Sequence, residues 1–406
     1  MSTSRPPRAI SLFTGVGGLD FGFEAAGFET AVAIEWDRIA CETLRLNRSW
    51  PVLEGDIHQI TSEEILRAGG LKAGEADILI GGPPCQPFSK SGYWVAGDAR
   101  RLDDPRASTL HAYLRVVEDT LPKSFLLENV HGLAFKGKDE GLQFLLAGIA
   151  DINRRTGANY VVTWAKLNAA DYGVPQMRER VFLVGSREGV EFKFPTPTHF
   201  SVPSGGQEPW RTAWDAIGDL AASPNEAGLA MGGRWAELLP SIPEGENYLW
   251  HTSRGGGVPL FGWRTRYWSF LLKLAKDRPS WTIQAQPGSA IGPFHWSNRR
   301  LSTLELCRLQ TFPPELQFNC GRANVQKLLG NAVPSLLAEV MARQIKAQLL
   351  ERPVTGALKL IPPKRKAAFN REPTSGVAAK YMHLVGDHAE HPGEGMGNRA
   401  RARRAA

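Results

Sequence analysis

The feature that most constrains the fold is the start of the chain, where a short apolar run leads into a glycine-rich turn. Residues 9–13 are Ala-Ile-Ser-Leu-Phe, and residues 14–18 are Thr-Gly-Val-Gly-Gly. The residues from Leu19 to Gly27 have helical spacing and end at a glycine suited to a helix C-terminus. A strand, a glycine-rich turn and a helix in this order are typical of a nucleotide-binding unit of an α/β sheet, although a tight turn without a ligand would look the same.

Residues 31–34 and 52–53 predict two further strands, and acidic residues follow each of them. Glu35 comes 20 residues after the first glycine of the turn, where an acid can accept hydrogen bonds from ribose hydroxyls. Trp36 beside it offers a flat face to an adenine ring. Glu35 could instead be an acidic residue at the N-terminus of the next helix. Asp56 could bind the adenine amino group or be an ordinary turn aspartate.

A single thiol follows the fourth predicted strand. Residues 76–80 form an apolar run, and residues 81–89 are Gly-Gly-Pro-Pro-Cys-Gln-Pro-Phe-Ser. Catalytic groups collect at the carboxyl ends of parallel strands, and the prolines around Cys85 restrict its backbone. A lone cysteine in such a turn is usually structural, but the context favours a nucleophile. The polar stretch at 89–107 predicts a mobile active-site loop.

A carboxylate and two guanidinium groups mark the strands that come next. The strand predicted at 124–127 leads into Glu128, and a carboxylate after a buried apolar run is costly unless it has a task. Arg178 and Arg180 lie two residues apart at the start of the strand predicted at 180–185, so their side chains point the same way. They are donors for an anion or a carbonyl group, unless they are solvated arginines at a strand entry.

Cysteine usage and hydropathy exclude several classes of protein. The four cysteines are far apart and form no CxxC pair, which argues against a zinc site and against a disulfide framework. Cys41 and Cys307 are predicted to be core residues. No apolar run is long enough to span a bilayer, and residues 1–9 contain no apolar signal core. We therefore expect a cytoplasmic protein with no metal and no membrane partner.

The residue patterns divide the chain into four parts. Residues 1–186 predict the first part of a catalytic, cofactor-binding domain, and residues 187–298 predict a smaller domain rich in glycine, proline and tryptophan. The aromatic residues of this second domain could contact nucleic acid or form its core. Residues 299–352 return to the first domain, with Ser302 as a suitable helix N-cap. Residues 353–406 contain ten Lys/Arg against four Asp/Glu, which is most of the net charge of +7, and predict a disordered basic tail.

Taken in order, these stretches resemble the DNA (cytosine-5) methyltransferases. The resemblance covers about residues 9–350 and is carried by residues 13–18, 35–36, 55–57, 82–89, 128–130, 176–180, 300–313 and 330–334. It implies an α/β, Rossmann-like, S-adenosylmethionine-dependent methyltransferase domain with a smaller, loop-rich target recognition domain. It also implies a stand-alone prokaryotic or phage enzyme of the restriction-modification type. Many relatives have Asp where this chain has Ser11, and residues 353–406 lie outside the family pattern.

The resemblance implies transfer of a methyl group to carbon 5 of cytosine in a specific short sequence of double-stranded DNA. Cys85 would add to carbon 6 of the ring as a covalent nucleophile. Glu128 would protonate or hydrogen-bond ring nitrogen 3 and the exocyclic amine. Arg180 would hold the carbonyl at position 2, and Arg178 would support the site. The target base must leave the stacked duplex for this chemistry to occur.

The implied methyl donor is S-adenosylmethionine, with S-adenosylhomocysteine as the product. The residues implied to bind it are Phe13, Gly15, Gly17, Gly18, Leu19, Glu35, Trp36, Asp56, Ile57, Pro83, Asn331 and Val333. The residues expected to contact DNA are Ser89, Ser91, Arg254, Arg264, Arg266, Gln284 and Gln286. We expect a monomer, and a restriction endonuclease that acts on the same site without direct contact would be its functional partner.

Three alternatives stay open from the sequence. The same fold and chemistry could methylate RNA such as a tRNA, but relatives that do so usually carry a Cys-Phe-Thr segment and a smaller recognition region. A catalytically silent DNA-binding protein would not need Cys85, Glu128 and Arg180 together. A small-molecule methyltransferase would need neither the long second domain nor the Pro-Cys loop.

Overall fold

The first 186 residues form a seven-stranded sheet, and predicted site residues follow the carboxyl ends of its parallel strands. The computed structural model describes residues 5–84, 108–134, 139–220, 226–264 and 267–388. Cys85, Ser89, Ser91 and Arg266 lie outside these described residues. The strands of the sheet are β1 (Arg8–Leu12), β2 (Glu29–Glu35), β3 (Val52–Glu54), β4 (Ile78–Gly81), β5 (Ser124–Val130), β6 (Val161–Asn168) and β7 (Glu179–Ser186).

Helices cover both faces of this sheet. They are α1 (Gly18–Ala25), α2 (Arg38–Asn47), α3 (Ser62–Ala68), α4 (Ser108–Thr120), α5 (Glu140–Thr156), α6 (Ala213–Ile217), α7 (Thr303–Leu309), α8 (Arg322–Asn331) and α9 (Ser335–Gln348). A short second sheet pairs β8 (His199–Phe200) with β9 (Glu208–Pro209).

The order of the strands explains where the site lies. The sheet runs β3-β2-β1-β4-β5-β7-β6, parallel from β3 to β5, with β7 antiparallel to both of its neighbours. The chain builds outward from β1 to β3 and then crosses to β4 on the other side of β1. In a parallel sheet this reversal opens a crevice at the carboxyl ends of the two central strands, where ligands bind. The predicted α/β, Rossmann-like fold is therefore confirmed.

Side chains that alternate along the strands belong to two apolar clusters, one on each face of the sheet. Ile10 and Leu12 of β1 belong to one cluster, whereas Ala9 belongs to the other, which also contains residues of α9. Helix α1 lies directly on α9, since a Cβ atom on Gly22 would come within 2.4 Å of Ala338 Cβ. The C-terminal helix thus packs on the N-terminal one, and the chain returns to its starting point.

The joint between the two ends of the chain is a third apolar cluster. It combines Val16 and Phe21 of the N-terminal part with residues of α6, α7 and α8. Helix α7 begins as the sequence predicts, because Ser302 caps it and forms a reciprocal capping box with Glu305. Cys307 on this helix is buried in the third cluster, as is expected for a core cysteine.

The region between β7 and α7 has little regular structure, and most of its aromatic residues are core. Its own apolar cluster contains Tyr248 and Leu260, with Trp235, Phe261 and Phe270 packed against them. Tyr267 and Trp268 are exceptions, at 53 % and 46 % exposed. Short turns and 3₁₀ helices hold this cluster together, which is consistent with the irregular pattern of the sequence.

The segment after α9 differs from its predicted disorder. Residues 353–388 are packed along the protein, and Tyr381 on this segment is only 2 % exposed. Leu360 and Ile361 lie against the cluster that contains α9. The few apolar side chains of the segment have no periodic spacing, and the basic residues between them dominate its composition, so it looks disordered in the sequence. Residues 389–406 lie outside the described part of the chain.

None of the helices in the described part of the chain combines the length and the apolar character that crossing a bilayer requires.

Candidate active site

Glu128 and Arg180 form an ion pair where β5 and β7 run side by side. The two strands pair Glu128 with Phe182 and Val130 with Arg180, so Glu128 and Arg180 are diagonal neighbours on the same face. Arg180 Nε lies 2.7 Å from Glu128 Oε1, and both side chains are nearly buried. The arginine is therefore not a solvated residue at a strand entry. The carboxylate also reaches the turn that follows β4, since a Cβ on Gly82 would lie 2.9 Å from Glu128 Oε2.

Burial controls the protonation of this carboxyl group. Loss of water raises the pKa of Glu128, while the positive charges of Arg180 and Arg178 oppose that shift. A carboxyl group whose pKa is raised can donate a proton or a hydrogen bond to a ligand more readily than an ordinary glutamate. The pair stands at the carboxyl end of the parallel strands, where a substrate would enter.

Arg178 lies behind this pair and joins three distant segments. It is 1 % exposed, and its guanidinium donates to Ile283 O at 3.3 Å and to Gly330 O at 2.8 Å. Its Nε has no hydrogen-bond partner among the described residues. Arg178 therefore fixes the backbone just before Gln284 and just before Asn331, and both segments lie next to Glu128.

Two buried glutamines reinforce the same junction. Gln176 accepts a hydrogen bond from Ile283 N at 3.0 Å and donates to Gln310 Oε1 at 3.0 Å. Gln310 in turn donates to Leu329 O. Sequence reasoning gave neither glutamine a separate role. The available signal was a polar residue at position 310 between the core residues Leu309 and Phe312.

The predicted cofactor residues Gly15, Glu35 and Trp36 meet at the carboxyl ends of β1 and β2. Glu35 accepts hydrogen bonds from the N–H groups of Gly15 at 2.7 Å, Trp36 at 2.9 Å and Asp37 at 2.8 Å. The N-cap of α2 is Asp37, which accepts from Ile39 and Ala40, so Glu35 does not cap this helix. Trp36 is 73 % exposed, which leaves its indole face open for stacking.

The glycine-rich turn leaves room for a ligand on one side and touches the C-terminal part on the other. Gly15 and Gly17 have φ angles of 57° and 86°, and Phe13 has a φ of 52°, a left-handed conformation that is uncommon outside glycine. A Cβ on Gly15 would meet no atom within 4 Å, whereas a Cβ on Gly18 would lie 2.4 Å from Val333 O. The turn is thus a cradle with one open side, which fits a nucleotide-like ligand.

The other predicted cofactor residues surround this cradle in different ways. Asp56 is exposed and accepts a hydrogen bond from His58 N at 3.0 Å, as a turn aspartate does. Pro83 is buried, and its carbonyl oxygen accepts from Asn129 Nδ2 at 3.2 Å. Asn331 is exposed at the end of α8. The side chains of Leu19, Ile57 and Val333 are buried in the apolar clusters of the sheet.

Asp20 is a buried carboxyl group next to the cradle that the sequence did not single out. It accepts hydrogen bonds from Ser11 Oγ at 3.1 Å and from Thr30 Oγ1 at 3.3 Å. Burial raises the pKa of Asp20 to about 7, because these hydrogen bonds and the backbone only partly offset the loss of water and nearby Glu24 adds repulsion. The hydroxyl of Ser11 therefore serves as a donor to Asp20.

This carboxyl group should make stability depend on pH. Between about pH 4 and pH 7 the folded protein keeps a proton on Asp20 that the unfolded chain releases, so the free energy of unfolding falls as pH rises. Above the raised pKa, Asp20 is ionised in both the folded and the unfolded chain, so it no longer makes the free energy of unfolding depend on pH. The loss should be on the order of 4 kcal/mol at most. Urea unfolding across this range should show a weaker slope for Asp20→Asn than for the unchanged chain, and equal slopes would contradict the assignment.

The residues expected to contact DNA fall into two groups. Arg254 lies 4.0 Å from the ring centre of Trp263, Arg264 lies 6.0 Å from that of Tyr267, and both arginines are exposed. Gln286 is also exposed. Gln284 instead donates to Ser269 Oγ at 2.8 Å, so part of its amide is used within the protein. Arg254, Arg264 and the neighbouring aromatic rings together present a cationic and aromatic surface.

The fold and this arrangement define an α/β enzyme with an open glycine-rich cradle and an acid–arginine pair where β5 and β7 run side by side. The family described as C-5 cytosine-specific DNA methylases matches residues 8–347. The chain belongs to this family and is a DNA (cytosine-5) methyltransferase. As a methyltransferase of this family it uses S-adenosylmethionine, and its substrate is DNA.

Individual relatives agree with this assignment. The chain is 43 % identical over 373 residues to the type II methyltransferase M.SacI of Streptomyces achromogenes, covering 84 % of this chain and 93 % of the relative. It is 44 % identical over 235 residues to M.AquIA of a Picosynechococcus species, covering 55 % and 93 %. The description of the family names DNA rather than RNA as the substrate.

The fold is also shared with solved structures of low sequence identity. A DNA modification methyltransferase encoded within an Escherichia coli prophage superposes with a TM-score of 0.60 at 23 % identity, covering 85 % of this chain and 99 % of that one. A methyltransferase of Entamoeba histolytica gives a TM-score of 0.56 at 15 % identity, covering 86 % and 99 %. At these identities the likeness concerns the fold alone.

Proposed function

We propose that this enzyme methylates one cytosine in a specific short sequence of double-stranded DNA, through a covalent bond between Cys85 and a base turned out of the helix. The observation that carries the proposal is the buried pair of Glu128 and Arg180, which stands directly beside the turn that leads to Cys85. A paired acid and guanidinium suit the nitrogen 3 and carbonyl edge of a cytosine ring.

The reaction is proposed to begin with addition of the Cys85 thiolate to carbon 6. Electron density moves into the ring and makes carbon 5 nucleophilic, while Glu128 supplies a proton to nitrogen 3 and Arg180 balances the charge at the carbonyl. S-adenosylmethionine supplies the methyl group from its sulfonium. Carbon 5 then loses its proton to a base, nitrogen 3 returns its proton to Glu128, and the bond between carbon 6 and sulfur breaks, so that the thiolate, methylated cytosine and S-adenosylhomocysteine are released.

The residues of the cradle support a binding role for the cofactor. Trp36 is exposed and would stack on the adenine, the open side of Gly15 would allow close approach of the ligand, and Glu35 would offer the one of its four acceptor positions that is not used within the protein to a ribose hydroxyl. Asp56 would accept a hydrogen bond from the adenine amino group, and Ile57 would lie behind it. Asn331 would reach the cofactor from the end of α8, beside the contact between Gly18 and Val333.

DNA is proposed to lie between the sheet edge and the cationic and aromatic surface of the second region. Arg254, Arg264 and Gln286 are candidates for base or phosphate contacts there. Type II relatives support a role in restriction-modification in the cytoplasm of a prokaryotic cell. The enzyme would act as a monomer and protect sites that a separate endonuclease cuts.

Bisulfite sequencing tests this proposal directly. The unchanged chain is expressed in a host that lacks cytosine methylation, beside an empty vector, and the host DNA is converted and sequenced. Protected cytosines should occur within one short motif and only in the sample that expresses the enzyme. Protection scattered without a motif would contradict sequence specificity, and the absence of protection with folded, cofactor-binding protein would contradict the proposed substrate.

A further inference from the structure

We propose that residues 353–388 form a strap that belongs to the DNA-recognition machinery, with Tyr381 as a positioning residue for the loop at 254–264. The family match ends at residue 347, so this role lies outside the pattern that defines the family. The inference rests on the proposed function of the second region as the part that reads DNA. It is carried by three sets of contacts along the strap.

The strap is first fixed to the catalytic part. Lys359 N and Leu360 N donate hydrogen bonds to the carboxylate of Glu339, at 2.9 Å and 3.0 Å. Glu339 lies on α9 and is completely buried. Leu360 and Ile361 pack on the apolar cluster of the same helix. This end of the strap is therefore held on α9, which packs on the sheet.

The middle of the strap completes a buried charge cluster in the second region. Lys276 is nearly buried and donates to Asn370 O at 2.6 Å and to Glu372 at 2.9 Å, with Glu244 at 3.2 Å. Two of these three partners come from the strap. These hydrogen bonds fix the middle of the strap in one position against the second region.

The far end of the strap enters the aromatic core that lies next to the loop at 254–264. Tyr381 donates its hydroxyl to Arg234 O at 2.8 Å, and its ring stacks on Trp235 with ring centres 5.8 Å apart and planes at 16°. Trp235 in turn contacts Phe261 and Phe270, with ring centres at 5.3 Å and 5.8 Å. Tyr381 is thus part of the core of this region although it comes more than a hundred residues later in the sequence.

The same aromatic core holds the loop that carries the candidate DNA contacts. Tyr248 packs against Phe261 and Phe270 and donates its hydroxyl to Arg264 O at 2.7 Å. Trp250 lies under the glycines that follow Arg254, since a Cβ on Gly256 would come within 2.4 Å of its ring. A continuous series of ring contacts therefore leads from Tyr381 to the backbone of Arg264.

The test separates DNA recognition from cofactor binding and from chemistry. The full chain with Tyr381→Ala is compared with the unchanged chain in methylation of plasmid DNA that contains the protected motif. KM for DNA should rise by roughly ten-fold or more, because the loop at 254–264 loses its support. The kcat at saturating DNA and the Kd for S-adenosylmethionine should stay within about two-fold, since the site at Glu128 is untouched.

Two matched variants make the outcome decisive. Tyr381→Phe keeps the stacked ring and loses only the hydroxyl, so it should restore most of the DNA affinity. Leu46→Ala on α2 removes an apolar side chain that is 48 % exposed and lies outside the strap and the site, and it should behave like the unchanged chain. Parallel losses of DNA and cofactor binding in Tyr381→Ala would overturn the proposal, because the strap would then serve only the stability of the whole fold.

Truncation provides a second measurement that does not depend on one side chain. A chain ending at residue 388 should keep the unchanged KM for DNA, whereas a chain ending at residue 352 should lose DNA affinity while it still binds S-adenosylmethionine. Equal KM values for the two truncated chains would contradict the role of the strap. If the unchanged chain shows no methylation activity, this result would instead count against the proposed function itself.

Discussion

Replacement of Cys85 by alanine should abolish methyl transfer, with a loss of at least about a thousand-fold in kcat. No other group in the proposed reaction can make carbon 5 of cytosine nucleophilic, because this step needs covalent addition to carbon 6. Binding should survive, since the cradle at Gly15 and the strap contacts are not changed. Cofactor binding by calorimetry and incorporation of labelled methyl groups into DNA measure the two properties separately.

The covalent step itself can be trapped. When fluorine replaces the hydrogen at carbon 5 of the target cytosine, the proton that must leave after methyl transfer is missing, so the bond to sulfur should persist. A protein–DNA adduct should then survive on a denaturing gel for the unchanged chain and be absent for Cys85→Ala. Cys320→Ala is the matched control because Cys320 is partly accessible, and an adduct lost in this variant would contradict the assignment of Cys85.

The elements of the sheet could be predicted because each has a strong local signal. Short apolar runs bounded by glycine or acidic residues located the parallel strands, and Glu128 was identified by its place at the end of such a run. The pairing of Glu128 with Arg180 follows from the register between β5 and β7. That register depends on the fold rather than on local pattern, so the ion pair itself could only be seen in the structure.

Tertiary contacts between distant segments account for what the sequence did not show. Arg178 could be recognised as a site residue, but its partners at Ile283 and Gly330 are more than a hundred residues away in the chain. Helix α8 was not predicted, because its apolar face is narrow and it begins at a glycine N-cap. The strap was predicted to be disordered because its anchors, such as Tyr381, are isolated among basic and polar residues.

Replacement of Arg180 by alanine should lower kcat by about a hundred- to a thousand-fold. The guanidinium is held 2.7 Å from Glu128 and is proposed to balance charge that develops on the ring only during the reaction. Arg180→Lys keeps the positive charge but cannot reproduce the planar donor geometry, so it should recover only part of the loss. Lys166→Ala is the control on the adjacent strand, because Lys166 forms an exposed ion pair with Glu179.

The variants of the pair should not behave independently. Arg180→Ala leaves Glu128 buried without its nearest positive charge, which favours the protonated form and raises the pKa of Glu128 further. Adding Glu128→Gln removes the carboxyl group that Arg180→Ala leaves without its partner. The double variant should therefore lose less kcat than the product of the two single losses. Thermal unfolding of each variant separates this effect from misfolding. Strictly multiplicative losses in kcat would mean that the two side chains do not act as a unit.

The pH dependence of kcat distinguishes the role of the acid from that of the arginine. If protonated Glu128 supplies the proton to nitrogen 3, kcat should fall as pH rises through its raised pKa, because the ionised form has no proton to give. Glu128→Gln should be slow at every pH and should lack this decline. Arg180→Ala should shift the decline to higher pH, in the direction that loss of a neighbouring positive charge requires. A decline that stays in place in Glu128→Gln would assign the titrating group to another residue.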